Sequence, residues 1–517
     1  MSRTTSTAIL LTLLAAPVVI ADTDGGIAAL RARLGAFAPT GSGIFAVQVE
    51  APEATDAYAP DTNDAEFTGK SITKVTSPAV NSWHATNVGK WLYGGASAMA
   101  TGMSSVWVYN VNSWLPNNLK TGGGSFNAPS VQPNSAVRVM NHSWIGSYGS
   151  GNEAYDREAL RRLDFMMNRD GVLAVCGENN GYGSVRQPMM GDTFNGLSVG
   201  RMDLQHSAGG TGAASDSPGR MKPDLIAPGV FTSFSTPVVG SAAALLFQTI
   251  SGASYSSLTA SQKAQVVKAC LLAGAERDAS WANDAPASGV NRGTAIQPID
   301  PLRGSGLLNV DRSHRILESV RLNGSTTQAG AAFATQSAGW GTAAITSSQK
   351  AYWRFSVNRP TPHLDFTVTW PRTVASNFAS YTFANMNLRM YRVDAGTALV
   401  PLEGDAGLTF FGSGNVSSTS SVDNIETLHL VDLEPGEYLV ELSRADVSSV
   451  ATTVYAGWIM DDAAFGTPGD LDGSGTVDSG DIGELLIRFG TSDPRCDLDR
   501  SGNVDAGDIG NLLINFG

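Results

Sequence analysis

The spacing of apolar and polar residues changes character twice along the chain. In the first region, compact apolar runs recur at wide intervals: IFAVQVE from Ile44, VWVYNV from Val106, VRVMNHSW from Val137 and VLAVC from Val172. Continuous runs of this length, rich in branched residues, predict strands buried on both faces. Between and after them, EALRRLDFMMNR from Glu158 and SQKAQVVKACLLAGA from Ser261 read as helices. Strands alternating with helices predict an α/β domain with a largely parallel sheet flanked by helices, over 41–318. From about 319 the runs alternate apolar with polar: AYWRFSV, HLDFTVTW, LRMYRV, ETLHLVDL and EYLVEL, divided by turn signals such as EPGE. Strands without intervening helices predict an all-β sandwich over 319–465, with SSTSS (417–421) as a loop. The last segment, 466–517, is an internal repeat: DLDGSGTVDSGDIGELLIRFG from Asp470 and DLDRSGNVDAGDIGNLLINFG from Asp497.

Composition narrows this picture. The chain has 517 residues, 42% hydrophobic and 16% charged, which is globular rather than disordered. Its net charge of −13 and the lack of a basic run argue against a nucleic-acid surface. The N-terminus, MSRTTSTAILLTLLAAPVVIA, has one Arg before a short apolar run and small residues up to Ala21. It reads as a secretory signal over 1–21, followed by a lead segment over 22–40, so the expected location is outside the cell with no membrane span after cleavage. The three cysteines, Cys176, Cys270 and Cys496, are too few and odd in number for a disulfide framework.

Candidate chemistry centres on VFTSFSTPVVGSAAALL, from Val230. Ser233 stands before a run of small apolar residues that reads as a buried helix. One reading makes it an N-cap, with the proline in the first turn. The other makes it a nucleophile at a helix N-terminus, where the helix dipole favours developing negative charge. Around it in sequence lie MKPDLIAPG (221–229), NHSWIGS (141–147), CGENNG (176–181) and WHATNVGKWLYGG (83–95).

This ordered set resembles the subtilisin-like serine peptidases, over roughly residues 40–315. The resemblance implies a subtilisin-like fold and hydrolysis of peptide bonds in a peptide or protein substrate. It implies Ser233 as nucleophile, His84 as general base, Asn179 as oxyanion-hole amide, and Ser143, Trp144 and Ile145 as the strand that pairs with substrate. The family's third member, an Asp at the end of the first strand, is replaced here by Glu50 in FAVQVEAPE. Asp56, Asp61 and Asp64 are rivals in a polar loop. The family's Gly two residues before the nucleophile is Phe231, which is expected to crowd the pocket. The stretch between Gly229 and Ser233 is also shortened. A catalytically impaired chain that keeps the scaffold as a binding or structural protein is the alternative.

In the repeat, oxygen-bearing residues fall at loop positions 1, 3, 5, 7, 9 and 12. They are Asp470, Asp472, Ser474, Thr476, Asp478 and Asp481, then Asp497, Asp499, Ser501, Asn503, Asp505 and Asp508, with Thr476 and Asn503 contributing backbone carbonyls. Hard oxygen ligands at this spacing, with Gly475 and Gly502 at position 6, fit two Ca²⁺ ions. Each loop precedes an apolar stripe: Ile482, Leu485, Leu486 and Phe489, then Ile509, Leu512, Leu513 and Phe516. The segment resembles a type I dockerin, which implies a cohesin-type partner and tethering to a scaffold or cell surface.

Overall fold

The computed structural model describes residues 24–53, 56–121, 136–334, 336–357, 361–394, 398–405, 410–460, 469, 471, 476–491, 496, 498, 503–514 and 516. The signal segment lies outside the described residues. So do Asp470, Asp472, Ser474, Asp497, Asp499 and Ser501.

The first region is built on a sheet of seven strands. Their spatial order is Leu225–Ala227, Leu197–Arg201, Leu173–Gly177, Val137–His142, Phe45–Glu50, Ser105–Asn110 and Ser71–Lys74. Every neighbouring pair is parallel. The predicted apolar runs form central strands because both their faces are covered. Helices Trp83–Tyr93 and Thr232–Ile250 pack on one side, while Glu153–Asp170 covers the other. Helix Thr232–Ile250 is long and apolar enough to cross a membrane, yet it is 83% buried within the protein as the central core helix. Small residues let it sit close: a Cβ on Gly240 would come within 2.8 Å of Leu92.

The sandwich follows as two facing sheets. One runs Ala338–Ile345, Thr452–Met460, Thr361–Thr369, Ile425–Leu433 and Ser413–Asn415. The other includes Met386–Val393, Gly436–Arg444 and Ala351–Val357. Trp353, Phe355, Phe366, Trp370 and Trp458 fill the space between them. The stretch SSTSS is not simply a loop. Ser417–Ser418 is a short strand, fully buried, pairing with Thr294–Ala295 and with Met386–Val393. Alternation could not reveal it, because small hydroxyl residues can be buried in a sheet when their backbone groups are paired.

The sandwich is welded to the α/β body rather than hung from it. Trp340, Ile425, Tyr455 and Ile459 share one apolar core with helices Ala260–Gly274 and Val310–Glu318. Arg372 of the sandwich reaches Asp164 and Asp216 of the body, and all three side chains are buried. Its main chain is tied to Asn195 and Asn168 as well. A buried ion pair of this kind fixes one docking geometry, since misplacing either side leaves a charge unpaired.

In the C-terminal segment, helices Ser479–Ile487 and Ala506–Ile514 close on a small core of Val477, Leu485, Cys496, Val504 and Leu512. Only half of each predicted stripe is inward. Leu486, Phe489, Leu513 and Phe516 are exposed, as are Ile487 and Ile514.

Candidate active site

The parallel sheet delivers its chemistry at the C-terminal ends of its strands, where open α/β sheets bind ligands. Glu50 ends the strand Phe45–Glu50, and its side chain is 1% exposed. His84 is the second residue of helix Trp83–Tyr93, which Ser82 caps by accepting from the Ala85 N–H at 2.9 Å. The imidazole Nδ1–H donates to Glu50 Oε2 at 2.8 Å. The rival carboxylates are engaged elsewhere: Asp64 pairs with Lys90 at 2.7 Å, and Asp61 accepts from Asn63. Asp56 is exposed.

Burial lifts the Glu50 carboxyl, and the hydrogen bond and charge of His84 pull it back without cancelling the rise. For His84, burial pulls the imidazole down, but the hydrogen bond and charge of Glu50 outweigh it and leave it raised. Both members of the pair therefore hold a proton more strongly than free side chains do. Among the six histidines, His142 shows the opposite case: buried, with its pKa pushed down to about 3 by desolvation, it stays neutral.

Gln48 is the residue that sequence reasoning passed over. It lies two positions before Glu50 on the same strand, so both side chains leave one face. It is fully buried, and its Nε2 donates to Glu50 Oε1 at 2.8 Å and to the Ala85 carbonyl at 2.9 Å. The Tyr93 hydroxyl donates to Gln48 Oε1 at 2.7 Å. The strand and the histidine helix are thus tied through a buried amide. Its signal was visible: a Gln in the middle of an otherwise apolar strand needs a partner.

Ser233 is not an N-cap. The cap position of helix Thr232–Ile250 is Phe231, whose side chain makes no cap bond, and Ser233 is the second helical residue. The cap comes from another loop, where Asn180 Oδ1 accepts from the Thr232 N–H at 2.9 Å. Pro237 lies beyond the first turn, inside the helix. Lacking an N–H, it leaves the Ser233 carbonyl four residues earlier without a helical partner. Ser143 Oγ donates to that carbonyl at 2.8 Å, and Asn141 Nδ2 donates to Ser143 Oγ at 2.9 Å. Ser233 Oγ in turn lies 3.5 Å from the Ser143 carbonyl oxygen. The proline and the strand end therefore lock the serine in place together. No hydrogen bond joins His84 to Ser233 among the described contacts.

Asn179, half-buried, follows strand Leu173–Gly177 and lines a cavity of about 50 Å³ with Ser143, Trp144, Ile145 and Ser233. Its Nδ2 donates to the Val185 carbonyl at 3.1 Å, which uses one of its two hydrogens. The Ser233 N–H, in the first turn, is one of the donors a helix leaves open. Phe231 does not crowd this cavity: it is 46% exposed and packs edge-on against Phe234, with ring centroids 5.7 Å apart. The close approach falls to Gly229 instead, where a Cβ would meet Ser235 Oγ at 2.5 Å and its backbone nitrogen at 2.7 Å.

In the C-terminal segment one arrangement occurs twice. Asp481 Oδ2 accepts from the Asp478 N–H at 2.8 Å, and Asp508 Oδ2 accepts from the Asp505 N–H at 2.7 Å. Asp478 and Asp505 each accept from the N–H two residues on, at 2.8 and 2.7 Å. Asp481 and Asp508 are fully buried. Two buried carboxylates in so small a core suit a hard cation. Among the described residues, no group of three or more His, Cys, Asp or Glu lies together.

No family model and no curated protein matches the chain. Among solved structures it is similar to a cold-adapted subtilisin-like serine proteinase, at 18% identity and a TM-score of 0.29, covering 52% of this chain and 89% of that one. It is similar to the serine protease of Aeromonas sobria, at 11% identity and a TM-score of 0.34, covering 81% and 89%. It is also similar to fervidolysin from Fervidobacterium pennivorans, a keratinolytic enzyme related to subtilisin, at 12% identity and a TM-score of 0.37, covering 77% and 59%.

Proposed function

We propose that the chain is a secreted subtilisin-like serine endopeptidase whose triad is Ser233, His84 and Glu50. The observation that carries this reading is the buried Glu50 carboxylate, 2.8 Å from a half-buried His84, at the same end of the sheet as the locked first turn that holds Ser233. Glu50 orients the imidazole and stabilises its cation. As a peptide binds along Ser143–Ile145, Ser233 Oγ attacks the scissile carbonyl carbon and gives its proton to His84 Nε2. In this reading the Ser233 N–H and the second hydrogen of Asn179 Nδ2 would donate to the oxyanion. Collapse of the tetrahedral adduct breaks the C–N bond, and His84 gives the proton to the leaving amine. Water, giving a proton to His84, then attacks the acyl carbon, and His84 returns that proton to Ser233 Oγ as its C–O bond breaks. A fluorophosphonate tests this directly. Labelling of the wild-type protein that is absent in Ser233→Ala and strongly slowed in Glu50→Gln is expected. Equal labelling of all three excludes Ser233 as nucleophile.

The second reading, a non-catalytic scaffold, draws support from the missing His84–Ser233 hydrogen bond, although unliganded sites can be loose. Under it, no labelling occurs.

The C-terminal segment is, in this proposal, a dockerin-like tether. Asp470, Asp472, Ser474, Thr476, Asp478 and Asp481 would hold one Ca²⁺, and Asp497, Asp499, Ser501, Asn503, Asp505 and Asp508 a second. The ion would neutralise carboxylates that otherwise repel. The outward Leu486, Ile487 and Phe489, repeated as Leu513, Ile514 and Phe516, support a cohesin-type partner. Calorimetric titration of the full chain with Ca²⁺ should show two sites. An absence of uptake removes this part and leaves the catalytic part standing.

A further inference from the structure

A Glu carries one more rotatable bond than an Asp, so its carboxylate has more orientations to lose before it can hold an imidazole. The Glu50 side chain is 1% exposed, and among the described residues no Lys or Arg pairs with it. The ionisable groups that bear on it are His84 and Tyr93, from helix Trp83–Tyr93, and Glu53, just beyond the strand. Glu53 opposes a charge on Glu50. Burial and the Glu50 charge push the Tyr93 phenol well up, so it stays neutral. His84 contacts one carboxylate oxygen, Oε2. The other, Oε1, is held by Gln48.

The amide of Gln48 has one workable orientation. Its Nε2 lies 2.9 Å from the Ala85 carbonyl oxygen. An amide oxygen in that place would meet a second acceptor, so the nitrogen belongs there. The Tyr93 hydroxyl, 2.7 Å from Oε1, donates to it and completes the fit. One Nε2 hydrogen goes to Ala85, and the second points at Glu50 Oε1 at 2.8 Å. That oxygen must accept, which leaves no place on it for a proton. Oε2 faces the His84 Nδ1–H, so both oxygens of Glu50 are held as acceptors, the arrangement of an ionised carboxylate. A neutral amide supports the charge here, and it adds no second cation to draw the carboxylate away from His84.

We propose that Gln48 is a positioning residue for the reaction: its Nε2 fixes the second oxygen of Glu50 and keeps the carboxylate ionised and aimed at His84. This rests on the peptidase reading above. A tie between strand and helix would be complete with Tyr93 and Ala85 alone. The third bond, to Glu50, is the one that reaches the chemistry.

The test is the rate at which a fluorophosphonate labels the full chain, measured across pH. Gln48→Met keeps the length of the side chain and removes both amide groups. The pair of Glu50 and His84 then takes up a proton more readily, because the charged carboxylate has lost a donor. The acid limb of the labelling rate is expected to move up by about one pH unit. The plateau rate above it should fall about tenfold as the carboxylate loses its aim. Tyr93→Phe removes a bond of the same network without touching Glu50, so it should lower Tm and leave the limb in place. If Gln48→Met does not fold, the double variant Gln48→Met with Tyr93→Phe, which leaves no orphaned hydroxyl, carries the same expectation. An unmoved limb in a folded Gln48 variant overturns this inference and leaves the peptidase reading standing. So does an equal shift in Tyr93→Phe, or a failure of both Gln48 variants to fold, which makes the amide a structural tie. No labelling of the wild-type chain at any pH overturns the peptidase reading, and this inference with it.

Discussion

Among the described residues, two buried carboxylates grip an imidazole, and their surroundings differ. Glu50 meets His84 at 2.8 Å, and Asp365 of the sandwich meets His429 at 2.6 Å. Both carboxylates are 1% exposed. Glu50 has one cationic partner and otherwise only the neutral Gln48. Asp365 is also bound by Arg277 and, at 3.0 Å, by Arg312, both from the α/β body. Burial would raise Asp365, but Arg277, His429 and Arg312 together hold it far below the ordinary range. A carboxylate saturated by two guanidiniums has little to exchange with its histidine. It borders a cavity of about 540 Å³ between body and sandwich and serves there as a tie. If the proposed triad holds, the partner count, not the acid–histidine contact, is what separates its acid from the structural one.

The largest expected effect comes from cutting the first pair. Glu50→Gln should lower kcat by about 10⁴-fold, because the imidazolium loses its counter-charge and its tautomer. Thermal stability should change little by comparison. A Gln variant with wild-type turnover would make Glu50 an ordinary buried acid.

Cutting the second pair should do the reverse. Asp365→Asn leaves Arg277 buried without its counter-charge, which costs about 3–5 kcal/mol of stability. Denaturant titration would show that loss, and kcat of the folded fraction should stay within a few-fold of wild type. A large fall in kcat with unchanged stability would reverse the assignment of the two pairs.

Glu50→Asp sharpens the comparison further. Shortening the side chain draws the carboxylate away from an imidazole it now reaches at 2.8 Å. A misplacement of about 1 Å can cost about 10²-fold in rate. Single-turnover kinetics against the Gln variant would separate lost position from lost charge.

The smallest effects are in pH. His84 is raised, so kcat/KM should fall on the acid side through a value above the ordinary imidazole pKa of about 6.5. Asp365 is depressed, so the stability it contributes is fully present above the unfolded value near 3.9 and is lost as pH falls through the folded one. In Asp365→Asn the acid limb of the stability curve should flatten, while the acid limb of activity stays in place.

Much of this was legible along the chain. IFAVQVE and VLAVC were readable as central strands because two-sided burial demands unbroken apolar runs. Ser233, His84 and Glu50 could be picked out because the motifs around them resemble those of the subtilisin-like serine peptidases. The rest was not legible, for identifiable reasons. Ser417–Ser418 carries no apolar signal, so its burial came only with its pairing partners. Phe231 read as an obstruction because a sequence does not say which way a ring turns.

The sequence alone determined the order of the regions, the parallel sheet, and the residue types available for acid, base and nucleophile. Those follow from local periodicity and side-chain chemistry. Tertiary structure alone decided which groups meet. Pro237 frees the Ser233 carbonyl, but only packing brings Ser143 to it. Asn180 caps a helix that starts fifty-two residues later. Both acids could have held a histidine loosely or tightly. The guanidiniums around Asp365 arrive from another region of the chain, and burial raises the energy of every charge left without such a partner.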